Sequence, residues 1–152
     1  MSRRKGRILA FQALYSWDVS NSSLEDLLTF SWLQKDSESQ QESETKNITE
    51  STKDSQNFAS LVISGTIRNI DAIDSLIEKH ISSSWSKERL NKVTLAILRT
   101  STYEMKFQHD TEPGIIIDEA VNISKDFDTD DSYKFINAVL DKIGKDEEFK
   151  KE

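Results

Sequence analysis

A chain of 152 residues that is 36% hydrophobic and 31% charged can bury one lean core, as a single domain or as two small subdomains sharing it. Four glycines and one proline argue against a turn-rich sheet protein, and the lack of cysteine excludes disulfides, thiolate catalysis, zinc–sulfur sites and iron–sulfur clusters. No apolar run approaches the ~20 residues of a membrane span, and no apolar stretch of a secretory signal follows the charged N-terminus, so a cytoplasmic all-α protein is expected.

The net charge of −7 at first argues against a nucleic-acid partner. Its distribution points the other way. Arg3, Arg4, Lys5 and Arg7 put four positive charges in the first seven residues, and without them the net charge is −11. Residues 1–7 therefore read as a basic arm on an acidic body. The competing reading is a solvated, disordered terminus.

Ile8, Phe11, Leu14, Tyr15 and Trp17 recur at helical spacing, which predicts a helix over roughly 4–19. Asn21-Ser22-Ser23 ends it and caps a second helix marked by Leu24, Leu27, Leu28 and Trp32. Residues 36–56 hold one aliphatic side chain, Ile48, among many Ser, Thr, Glu and Gln. Such a stretch cannot bury enough apolar surface to offset the entropy of ordering it, so a disordered acidic insertion is expected there.

Phe58, Leu61, Val62, Ile70, Ile73, Leu76 and Ile77 then form one broad apolar stripe. Gly65 lies inside it, where a glycine costs about 1 kcal/mol relative to Ala and so implies close helix packing. Residues 81–86 connect to the next element, with Trp85 expected to plug the core. Leu90, Val93, Ile97, Leu98 and Met105 define the following helix, with polar residues on its other face.

Pro113-Gly114 places a turn over 110–114. A helix over 115–127 should point Ile117, Ala120, Val121, Ser124 and Phe127 inward. Asp128-Thr129-Asp130-Asp131 breaks the chain and supplies an N-cap. The last helix buries Ile136, Val139, Leu140 and Ile143; Gly144 stops it, and the charged tail 145–152 should fray. The sum is about seven helices and no strand, in one domain spanning 1–152.

Few residues offer chemistry. The acidic run from Asp128 has Tyr133 where a calcium loop needs its glycine and Val139 where it needs its closing glutamate. His80 and His109 stand alone, without a metal set. Asp118 and Glu119 are neighbours in a helix and point in different directions, which makes a poor catalytic dyad. No glycine-rich phosphate loop is present. No catalytic, cofactor-binding or metal residue is therefore expected. The basic cluster is the exception. Cations at a helix N-terminus are unfavourable by a few tenths to ~1 kcal/mol each, yet beside exposed backbone N–H groups they make a phosphate-binding arrangement.

Three stretches together resemble the NusB family. Arg3-Arg4-Lys5-Gly6-Arg7 followed by Gln12-Ala13-Leu14-Tyr15-Ser16-Trp17 is similar to its arginine-rich opening and Q-A-L-Y motif. Ala96-Ile97-Leu98-Arg99 with Tyr103-Glu104-Met105 is similar to its A-I-L-R…Y-E-L helix. Asp118-Glu119-Ala120-Val121, then Asp131-Ser132-Tyr133-Lys134-Phe135-Ile136-Asn137-Ala138-Val139-Leu140-Asp141, resembles its closing pattern. Order and spacing agree over nearly the whole chain except residues 36–56. Tyr133, Ala138 and Asp118 stand where the family usually has histidine, glycine and asparagine.

The resemblance implies an all-α fold of two packed helical subdomains and no enzymatic activity. It implies a transcription antitermination factor that binds the boxA element of nascent RNA with the small-subunit ribosomal protein NusE, and joins RNA polymerase in antitermination complexes on ribosomal RNA operons. Carried over by position, the RNA-binding residues would be Arg3, Arg4, Lys5, Arg7, Tyr15, Asp131, Lys134 and Phe135. Phe135 and Tyr15 can stack on bases, and Asp131 can accept from a base amino or imino group. A homodimer stays open alongside these partners. Two alternatives stand beside this reading: a helical protein-interaction module without RNA binding, and the NusB-like part of an RNA methyltransferase.

Overall fold

The computed structural model describes residues 3–29, 50–81, 90–108 and 111–146. Seven α-helices are present among them: α1 (Arg3–Ser20), α2 (Leu24–Thr29), α3 (Glu50–Arg68), α4 (Ile70–His80), α5 (Lys92–Tyr103), α6 (Pro113–Phe127) and α7 (Ser132–Gly144). A short π-helical turn, Glu104–Gln108, continues α5.

Helix α5 organises the fold. It packs against α1 and α3 on one side and against α4, α6 and α7 on the other. The N-terminal group α1–α2–α3 and the C-terminal group α4–α6–α7 thus share one helix and one core. Its sequence reads as amphipathic, but every residue from Thr94 to Thr102 is buried. The polar face is covered because helices pack on both sides, so its polar groups need partners inside. Arg99 donates from Nε and Nη2 to Asp74 of α4, both at 2.9 Å. Thr100 Oγ1 donates back to the Ala96 and Ile97 carbonyls at 3.2 Å.

Helix ends follow local chemistry. Asn21 closes α1 with φ of 56°, the left-handed conformation that Asn tolerates after a helix. Ser23 Oγ accepts from the Asp26 N–H at 3.1 Å, and Asn91 Oδ1 accepts from Val93 N–H at 2.8 Å. Pro113 does not sit in a turn: it opens α6 at a first-turn position, where its missing N–H is an orphan donor anyway.

Gly65 is where the sequence implies close packing, and the reason is Tyr103. A Cβ on Gly65 would lie 2.1 Å from Tyr103 Cζ. The tyrosine ring occupies that space and stacks on Phe107, one turn on, at 5.8 Å between centroids and 8° between planes.

Four further expectations change. First, residues 50–56 are not part of a disordered insertion. They are the first turns of α3, and Ser55 is buried against α1 beside Gly6, so packing overrides a polar composition; residues 36–49 lie outside the described residues, as do Trp32 and Trp85. Second, α6 turns Ile116, Ala120, Ile123 and Ser124 inward, while Ile117 and Val121 are only half-buried and Phe127 is exposed. Third, the tail does not fray at once. Asp146 is buried, its carboxylate taken by Lys79 at 3.0 Å and His80 at 2.7 Å, and its carbonyl accepts from Lys106 Nζ at 2.9 Å. Fourth, Asp131 occupies the N-cap position of α7 but makes no side-chain cap bond. Helix α7 otherwise buries Ile136, Val139, Leu140 and Ile143 as its spacing predicts.

Candidate nucleic-acid interface

The basic arm is the first turn of α1. Its four cations have different surroundings. Arg3 and Lys5 are exposed, and the Arg3 guanidinium lies 4.3 Å from the Phe58 ring centroid of α3. Arg4 is exposed and reaches Asp126 at the end of α6, 2.6 Å away. An exposed pair of this kind contributes at most about 1 kcal/mol and can open to a phosphate.

Arg7 is not a free cation, which corrects its assignment to the arm. Its side chain is only 9% exposed and lies against Glu104, itself 4% exposed. Nε donates to both carboxylate oxygens at 3.1 and 2.9 Å, and Nη2 donates to Oε1 at 2.9 Å. The change of helix type at Glu104 coincides with this pair. A buried bidentate pair cannot give up its cation without stranding the carboxylate, so Arg7 belongs to the framework. Gly6 beside it permits the approach: a Cβ there would lie 2.7 Å from the Phe58 ring and 3.0 Å from the Ser55 carbonyl oxygen.

Below the arm, α1 meets the end of α6 a second time. Phe11 and Phe127 pack edge to face, with centroids 5.4 Å apart. Phe11, Gln12, Tyr15, Val93 and Phe127 line an open-sided hollow of about 190 Å³. Tyr15 and Phe127 are 38% and 44% exposed, a large amount for aromatic rings and enough to receive a stacked partner.

The seam continues into α7. Asp128 ends α6; its carboxylate accepts from Thr94 Oγ1 of α5 and from the Thr129 N–H, the latter at 2.8 Å. Asp131 and Lys134 follow, both exposed. Tyr133 lies between them, with Lys125 of α6 and Lys134 each facing its ring, at 4.8 and 5.9 Å from the centroid. Phe135 is half-buried and packs against the core.

Of the eight residues expected at the site, Arg3, Arg4, Lys5, Tyr15, Asp131 and Lys134 have exposed side chains on α1 or at the start of α7. The Arg4–Asp126 and Phe11–Phe127 contacts tie the arm and α1 to the end of α6, and Lys125 ties α6 to Tyr133. Lys125, Tyr133 and Phe127 are additions. The spacing of α6 turns Phe127 inward, whereas the structure leaves it exposed. Lys125 is one position from the Arg4 partner and could have been found from its place in the last turn of α6.

Among the described residues no group of three or more His, Asp or Glu could hold a metal ion, and no helix is long and apolar enough to cross a membrane.

The family model described as the NusB family matches residues 4–145. The transcription antitermination protein NusB of Treponema denticola is 49% identical over 145 residues, covering 94% of this chain and 96% of its own. The structure of T. maritima NusB is similar with a TM-score of 0.75 and 32% identity, covering 96% of this chain and 92% of that one. A structure of antitermination factors NusB and NusE in complex with dsRNA contains a chain similar at a TM-score of 0.74 and 33% identity, covering 95% of this chain and 98% of its own. Sequence and backbone agree over nearly the full length of both partners, and the chain belongs to the NusB family.

Proposed function

We propose that the chain is a transcription antitermination factor that binds boxA-type single-stranded RNA together with the ribosomal protein NusE, as part of the RNA polymerase antitermination complex, and serves ribosomal RNA operons in the cytoplasm. The observation that carries this reading is the seam where the basic first turn of α1 meets the end of α6, which in turn meets the start of α7. It offers cations for phosphates, exposed rings for bases and an uncapped carboxylate for base edges. RNA sequence is read by stacking and by hydrogen bonds to splayed bases, and phosphates supply the electrostatic part of affinity. The similarity to the NusB that was solved in complex with NusE and dsRNA supports NusE and RNA as partners of this chain.

Arg3, Arg4 and Lys5 are the arm cations left once Arg7 is committed to Glu104. Three phosphate contacts give a salt slope of only about −2 on a single strand, so affinity of the chain alone should be modest. The acidic body suits a basic ribosomal protein that adds contacts. Binding, not turnover, is the activity assigned.

The test is a titration of labelled boxA-type RNA with the full chain, with and without NusE, against a scrambled strand and an RNA duplex of equal length. Tighter binding to the boxA strand, enhanced by NusE, is expected. No binding in any arm would leave a helical protein-interaction module. Preference for the duplex would assign the seam to A-form shape instead.

A further inference from the structure

Two lysines from different helices converge on one tyrosine. Lys125, in the last turn of α6, and Lys134, in the first turn of α7, place their ammonium groups 4.8 and 5.9 Å from the centroid of Tyr133. Both fall within about 6 Å, the range in which a cation over a ring face is attracted by it. Both lysines are exposed and Tyr133 is half-buried, so the ring is anchored while the charges face solvent.

Each ammonium group lies by the same ring, and among the described residues no carboxylate is bonded to either of them. The nearby acids are accounted for. Asp126 is held by Arg4, and Asp128 is held by Thr94 and the Thr129 N–H. Asp130 and Asp131 are exposed in the same corner. The corner therefore sets a cation pair beside an acid pair.

We infer that Lys125 and Lys134, positioned by the Tyr133 ring, form a phosphate clamp that takes the backbone of the bound RNA at the α6–α7 corner. This rests on the RNA-binding reading above and adds Lys125 and Tyr133 to it. The phosphates of the bound strand give both ammonium groups the anionic partner that the described residues do not supply. Asp130 and Asp131, exposed in the same corner, repel phosphate and suit base edges instead. The strand thus enters with its backbone toward Lys125 and its bases toward Asp131. Tyr133 is a positioning residue: its ring holds the lysines in place and carries no charge of its own.

The experiment uses the full chain with NusE, a boxA-type oligonucleotide and a scrambled strand of equal length, titrated at several salt concentrations. Lys125→Ala should weaken binding about tenfold, the size of a hydrogen bond to a charged group, and flatten the salt slope by ~0.7, one phosphate contact. The loss should be the same on both strands, because a backbone contact carries no sequence information. Tyr133→Leu should weaken binding with the salt slope kept, Tyr133→Phe should recover most of that loss, and Tyr133→Leu should add nothing once both lysines are alanine. Circular dichroism of each variant separates these effects from unfolding. If the parent chain binds RNA and the Lys125→Ala, Lys134→Ala double variant binds it equally well with an equal slope, the clamp is wrong and the wider reading stands. If the double variant loses NusE but not RNA, the lysines belong to a protein contact and the clamp is wrong. If the parent chain binds no RNA, both fall together.

Discussion

Replacing Arg7 with alanine should damage folding, not RNA recognition, although the sequence places Arg7 in the same basic cluster as Arg3 and Lys5. The Arg7 and Glu104 side chains are 9% and 4% exposed and share three hydrogen bonds between 2.9 and 3.1 Å. Removing the guanidinium strands a buried carboxylate, which typically destabilises by about 3–5 kcal/mol. The guanidinium also lies 5.4 Å from the Phe58 ring, so packing between α1 and α3 is lost as well. Against a total stability of roughly 5–15 kcal/mol this is a large fraction. For a chain of this size it corresponds to a fall in Tm on the order of 10 °C. Arg7→Lys should recover only part of it, because an ammonium group cannot reproduce the bidentate geometry. Arg7→Met with Glu104→Leu should be far milder than Arg7→Ala alone, since both charges then leave together. Urea unfolding gives the stabilities, and RNA titration corrected for the folded fraction gives the binding. An Arg7→Ala chain as stable as the parent but deficient in RNA binding would refute the burial argument and return Arg7 to the arm.

Gly65→Ala puts a methyl group 2.1–2.3 Å from the Tyr103 ring and should destabilise by about 1–3 kcal/mol in denaturant unfolding; a neutral outcome would mean that α3 and α5 are less tightly packed there. Asp131→Asn should leave stability within about 0.5 kcal/mol, since Asp131 makes no cap bond, yet weaken boxA binding by ~1.5 kcal/mol if its carboxylate accepts from a base; unchanged binding would remove it from the site. Replacing residues 38–49 with a short Gly/Ser linker should shift unfolding by less than about 0.5 kcal/mol, whereas extending the replacement through residue 56 should lower stability by ~2 kcal/mol or more, because Ser55 packs against α1 beside Gly6. Equal effects of the two replacements would contradict the start of α3 at Glu50.

The helices were legible because their apolar residues repeat with the helical period, and in α7 the spacing of Ile136, Val139, Leu140 and Ile143 predicts the buried face completely. Helix α6 was harder. Ile115-Ile116-Ile117 offers two phases that share Ala120 and Ser124, and only packing against α5 and α7 selects the one containing Ile116 and Ile123. The start of α3 was hidden by composition, because residues 50–56 are polar and the burial of Ser55 beside Gly6 of α1 depends on how the two helices meet. In the candidate site, the exposure of Arg3, Arg4 and Lys5 agrees with the sequence, but Arg7 looks no different from them until Glu104, 97 residues away, is placed beside it. A signal was present: Arg7, Ala10, Phe11 and Leu14 fall at i, i+3, i+4 and i+7, which puts the arginine on the buried stripe of α1. The convergence of Lys125 and Lys134 on Tyr133 could not be read, since it depends on how α6 and α7 meet.

The seam built on the first turn of α1 is assigned to RNA, and its cations carry that assignment. The most direct measurement compares the salt dependence of boxA-type RNA binding by the parent chain and by an Arg3→Ala, Arg4→Ala, Lys5→Ala variant, each with NusE present. Folding should be nearly unaffected, since these side chains are exposed and the Arg4–Asp126 pair contributes at most about 1 kcal/mol. Weaker binding and a slope flatter by about two units, at ~0.7 per phosphate contact, are the predicted result. An unchanged affinity and slope in a folded variant would remove the first turn of α1 from the RNA site.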